Sequence, residues 1–287
     1  MPDSHFYFSQ RLRLRYCSWG DPANPTMLLV HGSQDHCRTW DFFVQAFVND
    51  YYIIAPDLRG HGDSDWSVGS SYSHLEYVYD LTQLAKQLEL TQLTLIGHSL
   101  GGTLACLFAG IEPARVARLV SIEGIGLWEA DEERTAAQTL NEWIDSMDAL
   151  SAREPRRYDS LQSACARMQT MNSNLSAEQA QHLTTHGVRQ NEDDSWSWKF
   201  DSYTNNWAPF GVPRETTIGL WQNIACPTLL LNADAGYDHR TGQDDTLQYF
   251  AHGQLREVSG AGHWTYHDQL AQVTREVQQF LLANPLP

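Results

Sequence analysis

Lysine is scarce in this chain: among 287 residues only Lys86 and Lys199 occur, and 35 acidic against 19 basic side chains leave a formal net charge of −16. This acidic balance argues against nucleic acid as a partner and against anionic membrane surfaces. No run approaches the roughly 18 consecutive apolar residues of a membrane-spanning helix, so no membrane insertion is expected. Met1 to Gly20 carries Arg11, Arg13 and Arg15 between leucines and has no apolar core, so it does not read as a signal peptide. The five cysteines, Cys17, Cys37, Cys106, Cys165 and Cys226, are odd in number and show no C-x-x-C spacing. That usage suits reduced thiols and a cytoplasmic location, with Cys106 and Cys226 as core residues. Internal repeats and low-complexity tracts are absent.

What the chain does have is organised around Leu95-Ile96-Gly97-His98-Ser99-Leu100-Gly101-Gly102. Leu93 to Ile96 reads as a buried strand and Leu100 to Ala109 as a helix, with Ser99 on the corner between them. Glycine two places either side, G-x-S-x-G, is what a sharp strand-to-helix turn needs. The turn exposes the Ser99 hydroxyl and puts the Leu100 N–H at a helix N-terminus, facing any developing oxyanion.

Strand and helix patterns alternate on either side. Arg11 to Tyr16 has period two and predicts a strand near a sheet edge; Met27 to Val30, Tyr51 to Ala55 and Val116 to Ile122 are short apolar runs suited to strands buried on both faces. Helices are expected over about 39–48, after the Ser73/Glu76 capping box, near 243–250 and over about 268–282. The alternation implies an α/β fold with a mostly parallel sheet and helices on both faces. It stops between about Leu127 and Asn223. We therefore expect residues 1–126 and 224–287 to form the core domain and residues 127–223 a mainly helical, tryptophan-rich cap inserted between two strands.

The Ser99 turn, the His31-Gly32 strand end, the loop Arg59-Gly60-His61-Gly62-Asp63-Ser64 and the Gly262-His263 loop occur in the order seen in the α/β-hydrolase superfamily, which the chain resembles from about Arg11 to Leu282. The resemblance implies that Ser99 is a nucleophile and His263, alone among twelve histidines, its general base. It implies an oxyanion hole from the N–H groups of Leu100 and Ser33. His31 reads as a loop organiser and His98 as a packing residue.

The third member must be a carboxylate between Ser99 and His263 in sequence. Most relatives place an aspartate in the turn after the strand Thr228 to Leu231, but that place falls near Gly236 here, with Asp234 and Asp238 on either side. Glu123, at the end of the strand Val116 to Ile122, resembles the acid of some haloalkane dehalogenases. Glu123 is favoured, Asp234 is second and Asp238 third.

A serine at position 99 excludes alkyl-enzyme chemistry, for which the related dehalogenases and epoxide hydrolases use an aspartate. What remains is acyl transfer to water, and a serine carboxylic-ester hydrolase for small to medium neutral esters is the leading expectation, needing no cofactor. Trp128, Trp196, Trp207 and Phe210 are candidate pocket residues, each equally readable as cap packing. Two rivals stay open: a carbon–carbon bond hydrolase of aromatic degradation, with Arg189 or Arg214 holding a substrate carboxylate, and a non-catalytic ligand receptor. A homodimer also stays open. His182 and His186 stand at i, i+4, but H-E-x-x-H is absent and no third ligand lies nearby in sequence, so no metal site is expected.

Overall fold

Alternate side chains of the run Met27 to Val30 go to opposite faces of one sheet: Leu28 and Val30 join one buried cluster, Met27 and Leu29 another. In the computed structural model, which describes residues 1–68, 72–127, 134–207, 209 and 211–286, the strands are β1 (Asp3–Ser9), β2 (Leu12–Trp19), β3 (Thr26–Val30), β4 (Tyr52–Pro56), β5 (Leu93–His98), β6 (Val116–Ile122), β7 (Val188–Gln190), β8 (Trp196–Trp198), β9 (Thr228–Ala233) and β10 (Gly253–Val258). Among the described residues, eight of them form one sheet in the order β1-β2-β4-β3-β5-β6-β9-β10. β1 and β2 run antiparallel to their neighbours and the rest are parallel.

The helices are α1 (Asp41–Val44), α2 (His74–Gln87), α3 (Leu100–Ile111), α4 (Ala136–Ser151), α5 (Leu161–Met171), α6 (Ala177–Gly187), α7 (Arg214–Gln222), α8 (Thr265–Asp268) and α9 (Leu270–Ala283). Leu81 and Leu84 of α2 and Leu104 and Phe108 of α3 cover one face of the sheet. Val273, Val277 and Phe280 of α9, with Trp40 and Phe43, cover the other. This is the α/β-hydrolase fold, with strand ends and loops meeting where β5 gives way to α3. No helix among the described residues is long and apolar enough to cross a membrane.

The strand over Arg11 to Tyr16 lies near the sheet edge as expected, with Asp3–Ser9 pairing outside it. Two local expectations are corrected. The helix expected over 39–48 shrinks to a 3₁₀ turn, Cys37–Trp40, and one turn of α1; aromatic and β-branched residues there are weak helix formers, and the chain follows their burial instead. Near 243–250 only a 3₁₀ turn, Thr246–Tyr249, forms, since Asp244 and Asp245 take positive φ.

Between β6 and β9 the described residues add no strand to the main sheet; they form α4 to α7 and the small β7–β8 hairpin. Tyr158, Ala164 and Val188 make a small separate core there. α7 packs on α3, close enough that a side chain at Gly110 would overlap the Leu220 carbonyl. Polar contacts also tie this segment to the residues around the sheet: Tyr72 donates to Asp201 at 2.6 Å, Lys199 pairs with Asp63 at 2.8 Å, and Gln179 donates to the His267 carbonyl at 3.0 Å.

Candidate active site

Ser99 has φ 53° and ψ −120°, a conformation costly for a residue with a side chain. It is held by hydrogen bonds from its N–H to the Ile122 carbonyl at 2.9 Å and from the Thr103 N–H to its own carbonyl at 3.0 Å. The flanking glycines serve close approach: a Cβ on Gly97 would overlap the Gly101 carbonyl, and one on Gly101 would overlap that of Val30. The strand, the turn and the helix can be this tight only without those side chains.

His263 arrives on the loop after β10. Its Nε2 lies 2.8 Å from Ser99 Oγ and its Nδ1 lies 3.2 Å from Glu123 Oε2. Since Nδ1 faces a carboxylate, the proton belongs there, leaving the Nε2 lone pair for the serine hydroxyl. Two contacts fix the ring and its backbone. His98 Nε2–H donates to the His263 carbonyl at 2.7 Å, and the Tyr237 ring stacks on the imidazole with centroids 4.0 Å apart. His98 is thus more than packing: burial, then the neighbouring His263, pushes its pKa well below the ordinary value, so it stays a neutral donor.

Glu123 is fully buried, at 0 % exposure, on the loop leaving β6. Such a carboxylate must be paired. Its Oε1 accepts from the Ala233 N–H at 2.6 Å and from Arg240 Nη1 at 2.7 Å, while Oε2 faces His263. Arg240 was not read from the sequence. It reaches Glu123 because residues 124–126 lie against 239–241: the Gly126 N–H donates to the His239 carbonyl at 2.6 Å and the Thr241 N–H to that of Gly124 at 2.8 Å. No local pattern announces such a pairing. Gly236 completes the cradle, for a Cβ there would overlap both Glu123 Oε2 and Arg240 Nη1.

The other two carboxylates lie elsewhere. Asp234 is exposed and accepts from the N–H groups of Gly260 at 2.8 Å and Ala261 at 3.2 Å, bonds that hold its pKa below the usual carboxylate range. It braces the turn that leads into His263. Asp238 is exposed on the loop.

On the opposite side of Ser99, the His31-Gly32-Ser33 loop comes close: a Cβ on Gly32 would sit 3.2 Å from Ser99 Cβ. His31 Nδ1–H donates to the Gly32 carbonyl at 2.7 Å, and Nε2 accepts from the Leu58 N–H at 3.0 Å, so this buried imidazole shapes the loop. Ser33 Oγ is buried with no hydrogen-bond partner among the described residues. Leu100 is the first residue of α3, where backbone N–H groups point outward.

Of the candidate pocket residues, Trp196 packs in the small core around Tyr158 and Val188, and Trp207 stacks on His74 at 4.8 Å. Trp128 and Phe210 lie outside the described residues.

A mostly parallel sheet carrying a strained serine between strand and helix, with an imidazole on its hydroxyl, defines a hydrolase of the α/β class. A family model for the alpha/beta hydrolase fold matches residues 25–270, and the chain belongs to this family. It is 24% identical over 300 residues to epoxide hydrolase 1 of Caenorhabditis elegans, across 97% of this chain and 70% of that one. It is 26% identical over 230 residues to human serine hydrolase-like protein 2, across 77% and 71%. Among solved structures, the thioesterase domain from the curacin biosynthetic pathway superimposes with a TM-score of 0.85 at 23% identity, covering 97% of this chain and 99% of that one. At that identity the likeness speaks for the fold alone.

Proposed function

We propose that the protein is a serine carboxylic-ester hydrolase working through an acyl-enzyme on Ser99. The observation that carries this reading is the 2.8 Å separation of Ser99 Oγ from His263 Nε2, with Glu123 on the far nitrogen of the same ring. Oγ attacks the ester carbonyl carbon as its proton passes to Nε2. The oxyanion is met by the N–H groups of Leu100 and Ser33, each such donor being worth roughly 10²–10³ in rate. The bond to the alcohol oxygen then breaks and Nε2–H protonates that leaving oxygen. Water, giving its proton to His263, next attacks the acyl carbon; Ser99 leaves with that proton and the carboxylic acid is released.

Glu123 stabilises the imidazolium through Nδ1–H in both halves of the cycle. An epoxide or haloalkane reaction through an alkyl-enzyme needs a carboxylate nucleophile, and position 99 is a serine. Support for the carbon–carbon hydrolase is weaker, since Arg189 and Arg214 are both exposed and Arg189 lies over the Trp66 ring.

The test is initial rates on p-nitrophenyl esters from acetyl to dodecanoyl, with Ser99→Ala protein alongside. Turnover should vanish in the variant, and the length profile would size the acyl site. A folded wild type inactive on the whole series would favour the carbon–carbon hydrolase or the receptor.

A further inference from the structure

Away from Ser99, the core segment 36–44 faces α6 of the inserted helices. His36 Nε2–H donates to the Leu183 carbonyl at 3.0 Å, and His182 Nε2–H to the Arg38 carbonyl at 3.1 Å. At this seam the fold supplies the third ligand that the sequence around His182 and His186 does not. Asp41 of α1 meets the two histidines, which lie one turn apart on α6. Ligand atoms of all three fall within 4.8 Å of one another; His182 Nε2 is 3.0 Å from Asp41 Oδ2, and the two imidazole centroids are 4.7 Å apart.

We propose that Asp41, His182 and His186 form a binding site for a first-row divalent transition ion of the zinc class, tying α6 to the core segment that follows the Ser33 loop. Two imidazoles and one carboxylate favour Zn²⁺, Ni²⁺ or Cu²⁺ over Mg²⁺ and Ca²⁺, which prefer all-oxygen shells. Bonds of roughly 2.0–2.2 Å place tetrahedral ligand atoms about 3.3–3.5 Å apart, which small side-chain rotations reach from the present spacing. Asp41 Oδ1 is buried and has no hydrogen-bond partner among the described residues, an uncommitted acceptor that a cation would satisfy.

Ligation through His182 Nε2 requires the neutral ring with its proton on Nδ1, so the hydrogen bond from Nε2 to the Arg38 carbonyl is given up. One group opposes the ion. Arg38 holds Asp41 Oδ2 from Nε at 2.7 Å and Nη2 at 2.6 Å, and an ion must share or displace that guanidinium. Three protein ligands leave a fourth position for water.

The test is calorimetric titration of chelator-stripped full-length protein with ZnCl₂, paired with melting curves in Zn²⁺ or Mg²⁺. One Zn²⁺ should bind per chain and raise Tm, and Mg²⁺ should do neither. Loss of groups that merely support metal ligands costs about 10–100-fold in affinity, so His186→Ala, which removes a ligand, should weaken binding by about 100-fold or more. Arg38→Gln removes the competing cation and should tighten binding about two- to fivefold. Circular dichroism checks that each variant is folded. Absence of saturable Zn²⁺ binding to wild type would overturn the proposal. So would wild-type affinity in folded His186→Ala and Asp41→Asn proteins, or weaker binding in Arg38→Gln.

Discussion

Arg240 Nη1 lies 2.7 Å from Oε1 of Glu123, while His263 Nδ1 uses the other carboxylate oxygen at 3.2 Å. One buried carboxylate thus faces a permanent cation on one oxygen and an imidazole on the other, the ring that takes the Ser99 proton in the proposed mechanism. The guanidinium offsets the desolvation of Glu123, and under the proposed mechanism Oε2 is left to stabilise the imidazolium.

Glu123→Gln keeps the shape and removes the charge. In the proposed mechanism kcat should fall by about 10³–10⁴, the range typical when an imidazole loses its orienting carboxylate. Asp234→Asn touches only the brace to Gly260 and Ala261 and should cost less than about tenfold. Steady-state rates on p-nitrophenyl acetate decide between them, and the larger loss in Asp234→Asn would move the acid away from Glu123.

Arg240→Met leaves the Glu123 charge buried without its partner, which should lower unfolding stability by about 3–5 kcal/mol in urea titrations. Adding Glu123→Gln to that variant removes the unpaired charge. The double variant should therefore be more stable than Arg240→Met alone, the non-additivity that marks a coupled pair.

The parts of this arrangement that could be read from sequence are those set by local sterics. The glycine pair around Ser99 reports a turn too tight for side chains, the Ser73/Glu76 box caps α2 as its spacing implies, and short apolar runs become strands covered on both faces. β1 escaped because His5-Phe6-Tyr7-Phe8 is aromatic on both faces, with Phe6 and Phe8 facing outward. Arg240 and Asp41 escaped for another reason: each meets its partners across a long stretch of chain, and neither carries a local signal. Glu123 could be singled out as a charge at a strand end, but the cation that pays for its burial could not.

Acid should destabilise the fold well above the carboxylate range. Burial, largest among the causes, pushes the pKa values of His36 to about 4 and of His61 and His267 to about 3, so these rings stay neutral in the folded protein. In the unfolded chain they titrate near the ordinary value of about 6.5. Their folded values are depressed, so the stability is fully present above pH 6.5 and is lost as pH falls toward 4 and then 3. Near pH 5 unfolding should take up about three protons from these rings alone. Urea midpoints at pH 7, 6 and 5 read this directly, and a flat profile would contradict neutral burial.

Gly236 gives the sharpest comparison. Most relatives are expected to carry their acid at about this place in the turn after β9, and here a Cβ would overlap Glu123 Oε2 and Arg240 Nη1. Gly236→Asp alone should therefore be destabilising and poorly active, because two carboxylates would compete for one buried space beside His263. In a Glu123→Ala background one of the two overlaps is gone, and the long Arg240 side chain can shift to pair with the new carboxylate. The Glu123→Ala/Gly236→Asp protein should then recover part of the kcat lost in Glu123→Ala, with a larger share recovered than by Gly236→Asn in the same background. Equal rates for the two double variants would mean that a charge at position 236 cannot reach the imidazole, and that the acid is tied to its place on the loop after β6.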